Sequence, residues 1–180
     1  MRICVFCSSK SSLSASTFAE AEVFCEKIAA RKDSFVYGGG AQGLMGFFAD
    51  HLIKRGVKTV GVFPNGTFDQ ELEHKGLTEL VYTEDMLDRK RKMMELSDAF
   101  VVFPGGIGTL DEAIEVLTWK TVYDIKKPLV FFNWEGFWNP FFDMLKLYEK
   151  TGLFYPKTMD AFKSVTTVNE IFEVLDETAR

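Results

Sequence analysis

The residues best suited to chemistry lie in one run, Phe100 to Glu112, which reads FVVFPGGIGTLDE. An apolar strand from Ala99 to Phe103 stops at Pro104. Gly105, Gly106 and Gly108 form a turn, and a helix is expected to begin near Thr109. Such a turn presents backbone N–H groups at the positive end of a helix, which suits an anion and most often a phosphate. Glycine lets the main chain approach a ligand where a side chain would stand in the way. No Gly-Lys-Ser/Thr follows, so the run is not a P-loop. Asp111 stands where the dinucleotide pattern G-x-G-x-x-G needs its third glycine. The other reading is a tight structural turn without a ligand.

Charged residues accompany the turn. A helix predicted over Glu84–Ser97, with Thr83 as N-cap, carries the basic run Arg89 to Lys92. Successive helical residues step by 100°, so Arg89 and Lys90 project beside the apolar face of Met86, Leu87, Met93, Met94 and Leu96. Arg91 and Lys92 point away. A cation at a buried edge is costly without a partner. An anion in a cleft would supply one, and arginine matches the fork of a phosphate or carboxylate. A carboxylate elsewhere in the chain would serve as well. Glu112 also has two readings. It sits where the turn meets the cleft, yet Thr109 to Glu112 fits a capping box, with Glu112 returning to the N–H of Thr109. Asp111 reads as a surface charge favoured by the helix dipole.

These groups need a scaffold, and 180 residues are enough for a single domain over 1–180 with one core. Hydrophobic residues make up 47% and charged residues 26%, as in ordinary globular proteins, so the chain is expected to fold in water. A net charge of -5 argues against a general grip on nucleic acid. No apolar run reaches membrane-spanning length, and no secretory pattern precedes the first strand, so neither membrane nor export is expected. Cys4, Cys7 and Cys25 suit a reducing cytoplasm. Cys4 and Cys7 fall on opposite faces if the strand continues, so they read as buried thiols rather than a redox pair. With His51 and His74 as its only histidines, the chain is not expected to hold a metal of the usual kind.

Apolar strands alternate with helices along the chain. Strands are expected at Ile3–Phe6, Ser34–Tyr37, Lys58–Phe63, Glu79–Tyr82, Ala99–Phe103 and Pro128–Phe132. Helices are expected at Ser16–Arg31, from Gly43 to Arg55, over 84–97, from Thr109 to Tyr123, from Gly136 to Lys150 and over 166–178. The segment 65–78, with Glu71 and His74, is polar and irregular. This order indicates an α/β fold with a mainly parallel sheet and helices on both faces. Ligands then sit beyond the C-terminal strand ends, where Ser8 and Ser9, Gly38 to Gly40 and the Gly105 turn all fall. The helix after the turn carries Leu110, Ala113, Ile114 and Leu117 on one side, and Glu112, Val116 and Trp119 on the other. Two apolar sides predict a second copy against one of them, hence a homodimer.

The motif PGGIGTLDE resembles the P-G-G-x-G-T-x-x-E signature of the LONELY GUY family, proteins formerly labelled lysine decarboxylases. VFCSS, VYGGGAQGLMG, GVFP, HKGLTEL, MLDRK and ELSDAFVVFPGG are similar to that family too, in its order, from Cys4 to about Gly152. The resemblance implies a Rossmann-like three-layer sandwich and a homodimer. It implies hydrolysis of the N-glycosidic bond of nucleoside 5′-monophosphates, above all N6-substituted AMP (the cytokinin nucleotides), with no cofactor. It carries the catalytic roles onto Arg89 and Glu112, and substrate contacts onto Glu71, Lys90 and the run Gly106, Ile107, Gly108, Thr109, Leu110 and Asp111. Ser8, Ser9, Gly39, Gly40, Met86 and Gly105 are expected to line the site by the same matching. Two loops depart from the family: FCSSK lacks a glycine before its serines, and Ala41-Gln42 stands where Ser-Val often precedes GLMG. The rival expectations are a non-catalytic nucleotide carrier on the same fold, and the old decarboxylase label.

Overall fold

A computed structural model describes residues 1–66, 72–155 and 157–178. The strands are β1 (Arg2–Phe6), β2 (Ser34–Tyr37), β3 (Thr59–Pro64), β4 (Glu79–Thr83), β5 (Ala99–Val102), β6 (Leu129–Phe132) and β7 (Lys163–Val165). The helices are α1 (Ala15–Arg31), α2 (Gly43–Lys54), α3 (Met86–Leu96), α4 (Ile107–Tyr123), α5 (Asn139–Lys150) and α6 (Val168–Thr178). Every named pair is parallel, in the order β4-β3-β2-β1-β5-β6-β7. The chain winds outward from β1 to β4, then returns to the other side of β1 at β5. The crevice between the ends of β1 and β5 is thus the switch point where ligands bind in such sheets.

Alternate strand residues feed two cores. Ile3, Val5, Phe35, Tyr37, Val101 and Phe103 pack against α1, α2 and α6. Cys4, Phe6, Val36, Val62, Phe100 and Val102 pack against α3, α4 and α5. Three layers result, as expected for an α/β fold. Cys4 and Cys7 fall in different cores, as the alternation requires. Phe24, Phe48 and Phe103 meet edge-on at 4.9 to 5.8 Å between ring centres. The paired phenylalanines of the sequence are mostly core filling.

Several expected boundaries differ. β4 extends through Thr83, which pairs with Pro64, so Thr83 does not cap the next helix. Asp85 does, its side chain accepting from the Asp88 N–H at 2.8 Å. In α3 the apolar face is narrower than expected: Leu87 is exposed, while Arg89, Met93 and Met94 are buried. β7 and the 3-10 turn Thr158–Ala161 carry too little apolar periodicity to stand out in sequence. The two-sided reading of α4 is also corrected. Ala113, Val116 and Leu117 all point into the core, and Ile107, Ile114 and Val122 are exposed instead.

Candidate active site

α4 begins two residues earlier than expected. Gly106 is its N-cap, and the Leu110 N–H donates to the Gly106 carbonyl at 3.0 Å. Thr109 therefore lies inside the first turn, and the capping box with Glu112 does not form. Gly106 caps no N–H with a side chain. The first-turn N–H groups have no intrahelical acceptor, which is the arrangement an anion would complete. Thr109 is buried beneath Gly105, where a Cβ would stand 2.2 Å from the Thr109 Oγ1. Gly105 is thus required by packing. Among the described residues, a Cβ on Gly106 or Gly108 would meet no atom within 4 Å beyond its chain neighbours and its own helix backbone, so open space is what these two glycines face.

The opposite wall is the loop after β1. The Ser8 carbonyl accepts from the N–H groups of Leu44 and Met45 at 3.0 and 3.3 Å, and the Ser8 N–H donates to the Pro104 carbonyl at 3.3 Å. Its Oγ accepts from the Lys10 N–H at 2.9 Å. One residue thus knits the ends of β1 and β5 to the start of α2. The loop passes so close to Gly43 that a Cβ there would lie 2.4 Å from the Ser9 carbonyl carbon; Gly43 also has φ of +58°.

Arg89 forms the floor and is 5% exposed. Its Nε donates to the Val62 carbonyl at 3.1 Å and its Nη2 to the Gly38 carbonyl at 3.0 Å. Nη1 lies 3.7 Å from the Met86 sulfur and 3.8 Å from Oε1 of Glu112. A buried guanidinium is thereby fixed to β3 and to the end of β2, with one edge turned to a carboxylate. Below them, burial and then the Glu112 charge push the Cys4 thiol well above its usual range, so Cys4 is no nucleophile.

Among the described residues, the cleft at this point is lined by Ser8, Ser9, Arg89, Gly106, Ile107, Gly108, Thr109 and Glu112, all expected from sequence. Cys7, Lys10 and Met45 also line it and were not expected. Met45 lies two residues after the glycine that opens α2, but its approach depends on the Ser8 contact, which leaves no mark in sequence. Other expected residues stand elsewhere. Lys90 pairs with Oδ2 of Asp111 at 3.0 Å and Oε2 of Glu115 at 2.5 Å. Burial alone would lower the Lys90 pKa, but the bonds to Glu115 and Asp111 outweigh it and raise it. Leu110 packs against the core beneath α4. Gly39 turns with φ of +77° over Phe63, and Gly40 bridges to Glu73. Glu71 lies outside the described residues. His51 is half-buried and stacked on Phe47, and His74 lies 3.1 Å from Asp50. No group of three or more metal-ligating side chains occurs among the described residues.

A family profile described as "Possible lysine decarboxylase" matches residues 45–175. The chain is similar to cytokinin riboside 5′-monophosphate phosphoribohydrolase LOG3 of Arabidopsis thaliana, at 33% identity over 99% of this chain and 83% of that protein. It is similar to the probable enzyme of the same name LOG6 from Arabidopsis thaliana at 34% identity, over 97% and 87%. Rice LOG, from Oryza sativa subsp. japonica, matches at 32% over 98% and 73%. Among solved structures, the Moco carrier protein of Chlamydomonas reinhardtii superposes with a TM-score of 0.74 at 18% identity, over 99% of this chain and 96% of that one. The molybdenum cofactor binding protein of Rippkaea orientalis gives 0.72 at 16%, over 99% and 97%. These two likenesses establish the α/β fold and nothing finer. The profile match across most of the sequence, with relatives above 30% identity along nearly all of it, establishes that the chain belongs to the LONELY GUY family.

Proposed function

We propose that the protein hydrolyses the N-glycosidic bond of adenosine 5′-monophosphates, N6-substituted ones included, and releases the free base and ribose 5-phosphate. The relatives named phosphoribohydrolases support this activity. The observation that carries it in this chain is the buried Arg89 set beside Glu112 at the mouth of an uncapped glycine turn.

The 5′-phosphate takes the first-turn N–H groups at Gly106 to Thr109, so binding energy comes from atoms remote from the reacting bond. Glu112 then lies toward the sugar. Rupture of the bond between C1′ and the base nitrogen builds positive charge on the ribose, which a carboxylate favours. Water forms the new bond to C1′ while Glu112 orients it; the bonding pair leaves on the base, and a water proton ends there. Arg89 has committed Nε and Nη2 to carbonyls, so its Nη1 edge is the part that holds Glu112 and polarises the base. No step needs a cofactor or metal. Decarboxylation through pyridoxal phosphate needs an imine-forming lysine, and Lys90, held protonated by two carboxylates, does not fit that task.

Further parts of this reading are one domain over residues 1–180, a cytoplasmic location and a homodimer. No described helix is long and apolar enough to cross a membrane. For the dimer, the support is an apolar groove between α4 and α5, where Ile114, Met144, Tyr148, Leu153 and Tyr155 gather. Sedimentation should show a dimer for the wild type and a monomer for Ile114→Glu. Mixing the protein with a panel of nucleoside monophosphates, followed by chromatography, tests the activity. Free adenine or N6-substituted adenine is expected; tight AMP binding without base release would instead favour a carrier.

A further inference from the structure

We propose that Lys90 is a positioning residue: it sets the rotation of α4 so that Glu112 meets Arg89, and it does not bind substrate. The kinetic part of this proposal rests on the hydrolase reading.

Adjacent residues of α3 grip neighbouring residues of α4. Arg89 reaches Glu112 across 3.8 Å, a loose contact. Lys90 reaches Asp111 at 3.0 Å and Glu115 at 2.5 Å, a close one. Asp111 and Glu115 bracket Glu112 on its own helix, one before it and three after. The Lys90 side chain is only 10% exposed and Glu115 22%, so that pair is largely sheltered from screening, while Asp111 lies open to solvent. On the α3 side the frame is fixed, because Arg89 is bonded to the Val62 and Gly38 carbonyls. On the α4 side the first turn has no side-chain cap to hold it. Thr109 under Gly105 and Ala113, Val116 and Leu117 in the core seat the inner side of α4, and the Lys90 bridge holds the side that faces α3.

The needed accuracy is high. Side-chain tips ride about 5–6 Å from a helix axis, so a rotation of about 10° moves a carboxylate by about 1 Å. A displacement of that size costs on the order of 100-fold in rate. A phosphate-binding lysine would have to break two ion pairs first, and Lys90 does not line the cleft among the described residues.

The test uses Lys90→Met, Lys90→Arg, the pair Asp111→Asn with Glu115→Gln, and the triple variant. AMP affinity is read by calorimetry, and kcat and KM by base release. Lys90→Met should leave AMP affinity within about threefold and lower kcat by about 100-fold, as expected for a misplaced carboxylate. Lys90→Arg, which still spans two carboxylates, should recover most of kcat. The triple variant should lose no more than the worse of its parents, because the groups act as one unit. A tenfold or greater loss of AMP affinity in Lys90→Met would overturn the proposal. So would an unchanged kcat per folded molecule with only a lower melting temperature, or losses that add independently. If the wild type releases no base from any nucleotide, the hydrolase reading fails, and the affinity arm still decides whether Lys90 touches the ligand.

Discussion

A Cβ atom on residue 38 would lie 1.7 Å from Nη2 of Arg89, so Gly38 and the guanidinium share one volume across 51 residues of sequence. The glycine at the end of β2 makes the room, and its carbonyl accepts from the group that fills it. Gly38→Ala should therefore push out the far end of a flexible side chain and leave the sheet intact. Turnover is expected to fall by about 100-fold or more, approaching the loss caused by removing a preorganised electrostatic group. Paired measurements of melting temperature and base release check this; wild-type turnover in a folded variant would refute it.

Removing either charge of the proposed pair should be at least as costly. Glu112→Gln keeps the size of the side chain and deletes the charge. A loss of about 10² to 10⁴ in kcat is expected, with AMP affinity largely kept. Arg89→Lys keeps a cation and loses the fork that holds two carbonyls at once, so it too should lose most activity. Active-site titration by single-turnover base release separates these effects from substrate binding.

Two glycines should respond in opposite ways. Gly108 lies in the first turn of α4 and faces open space, so Gly108→Ala should keep or raise stability, by up to about 1 kcal/mol from helix propensity. Its methyl group should weaken AMP binding, because it stands where the phosphate approaches. Gly43→Ala meets the Ser9 main chain at 2.4 Å and keeps φ at +58°, so it should destabilise the fold by about 1–3 kcal/mol. Urea titration and calorimetry on the two variants distinguish packing from ligand clearance.

The buried thiols predict a stability change with pH. Burial pushes the Cys25 pKa up to about 12. The unfolded thiol titrates near its ordinary value of about 8.5, so above that pH the unfolded state holds fewer protons than the folded one. Stability should therefore be level below pH about 8 and fall as pH rises from there toward 12. Cys25→Ser, compared with wild type by urea unfolding at pH 7 and pH 10, should shrink the difference. Alkylation of Cys25 near neutral pH should be slow and limited by opening of the fold; rapid labelling of the native protein would contradict this.

Much of the fold was legible because its signals are local. Ser34–Tyr37 is bounded by Asp33 and a glycine run, and it forms a strand over those same residues. The alternation that separates Cys4 from Cys7 needs only the pleat. The basic run divided as expected, with Arg89 buried and Arg91 turned outward to Asp88. Where prediction failed, a local signal met a stronger tertiary one. Thr109 to Glu112 has every feature of a capping box, yet α4 starts at Ile107, Thr109 packs under Gly105, and Glu112 turns to Arg89. Val116 and Glu112 share an apolar-looking side in sequence, but the sheet lies under one and α3 beside the other.

The sequence alone determined that β1 and β5 would end in glycine- or serine-rich turns on one edge of a parallel sheet, with an arginine and a glutamate nearby. Backbone conformation and alternating burial depend on neighbours along the chain, so residue order carries them. Only the tertiary structure decided which cation faces the cleft and which is spent on Asp111 and Glu115, and that Gly38 is shaped around Arg89. Those choices turn on distances of 2.5 to 3.8 Å between different elements of the chain, and the periodicity of one helix does not say what lies across from it.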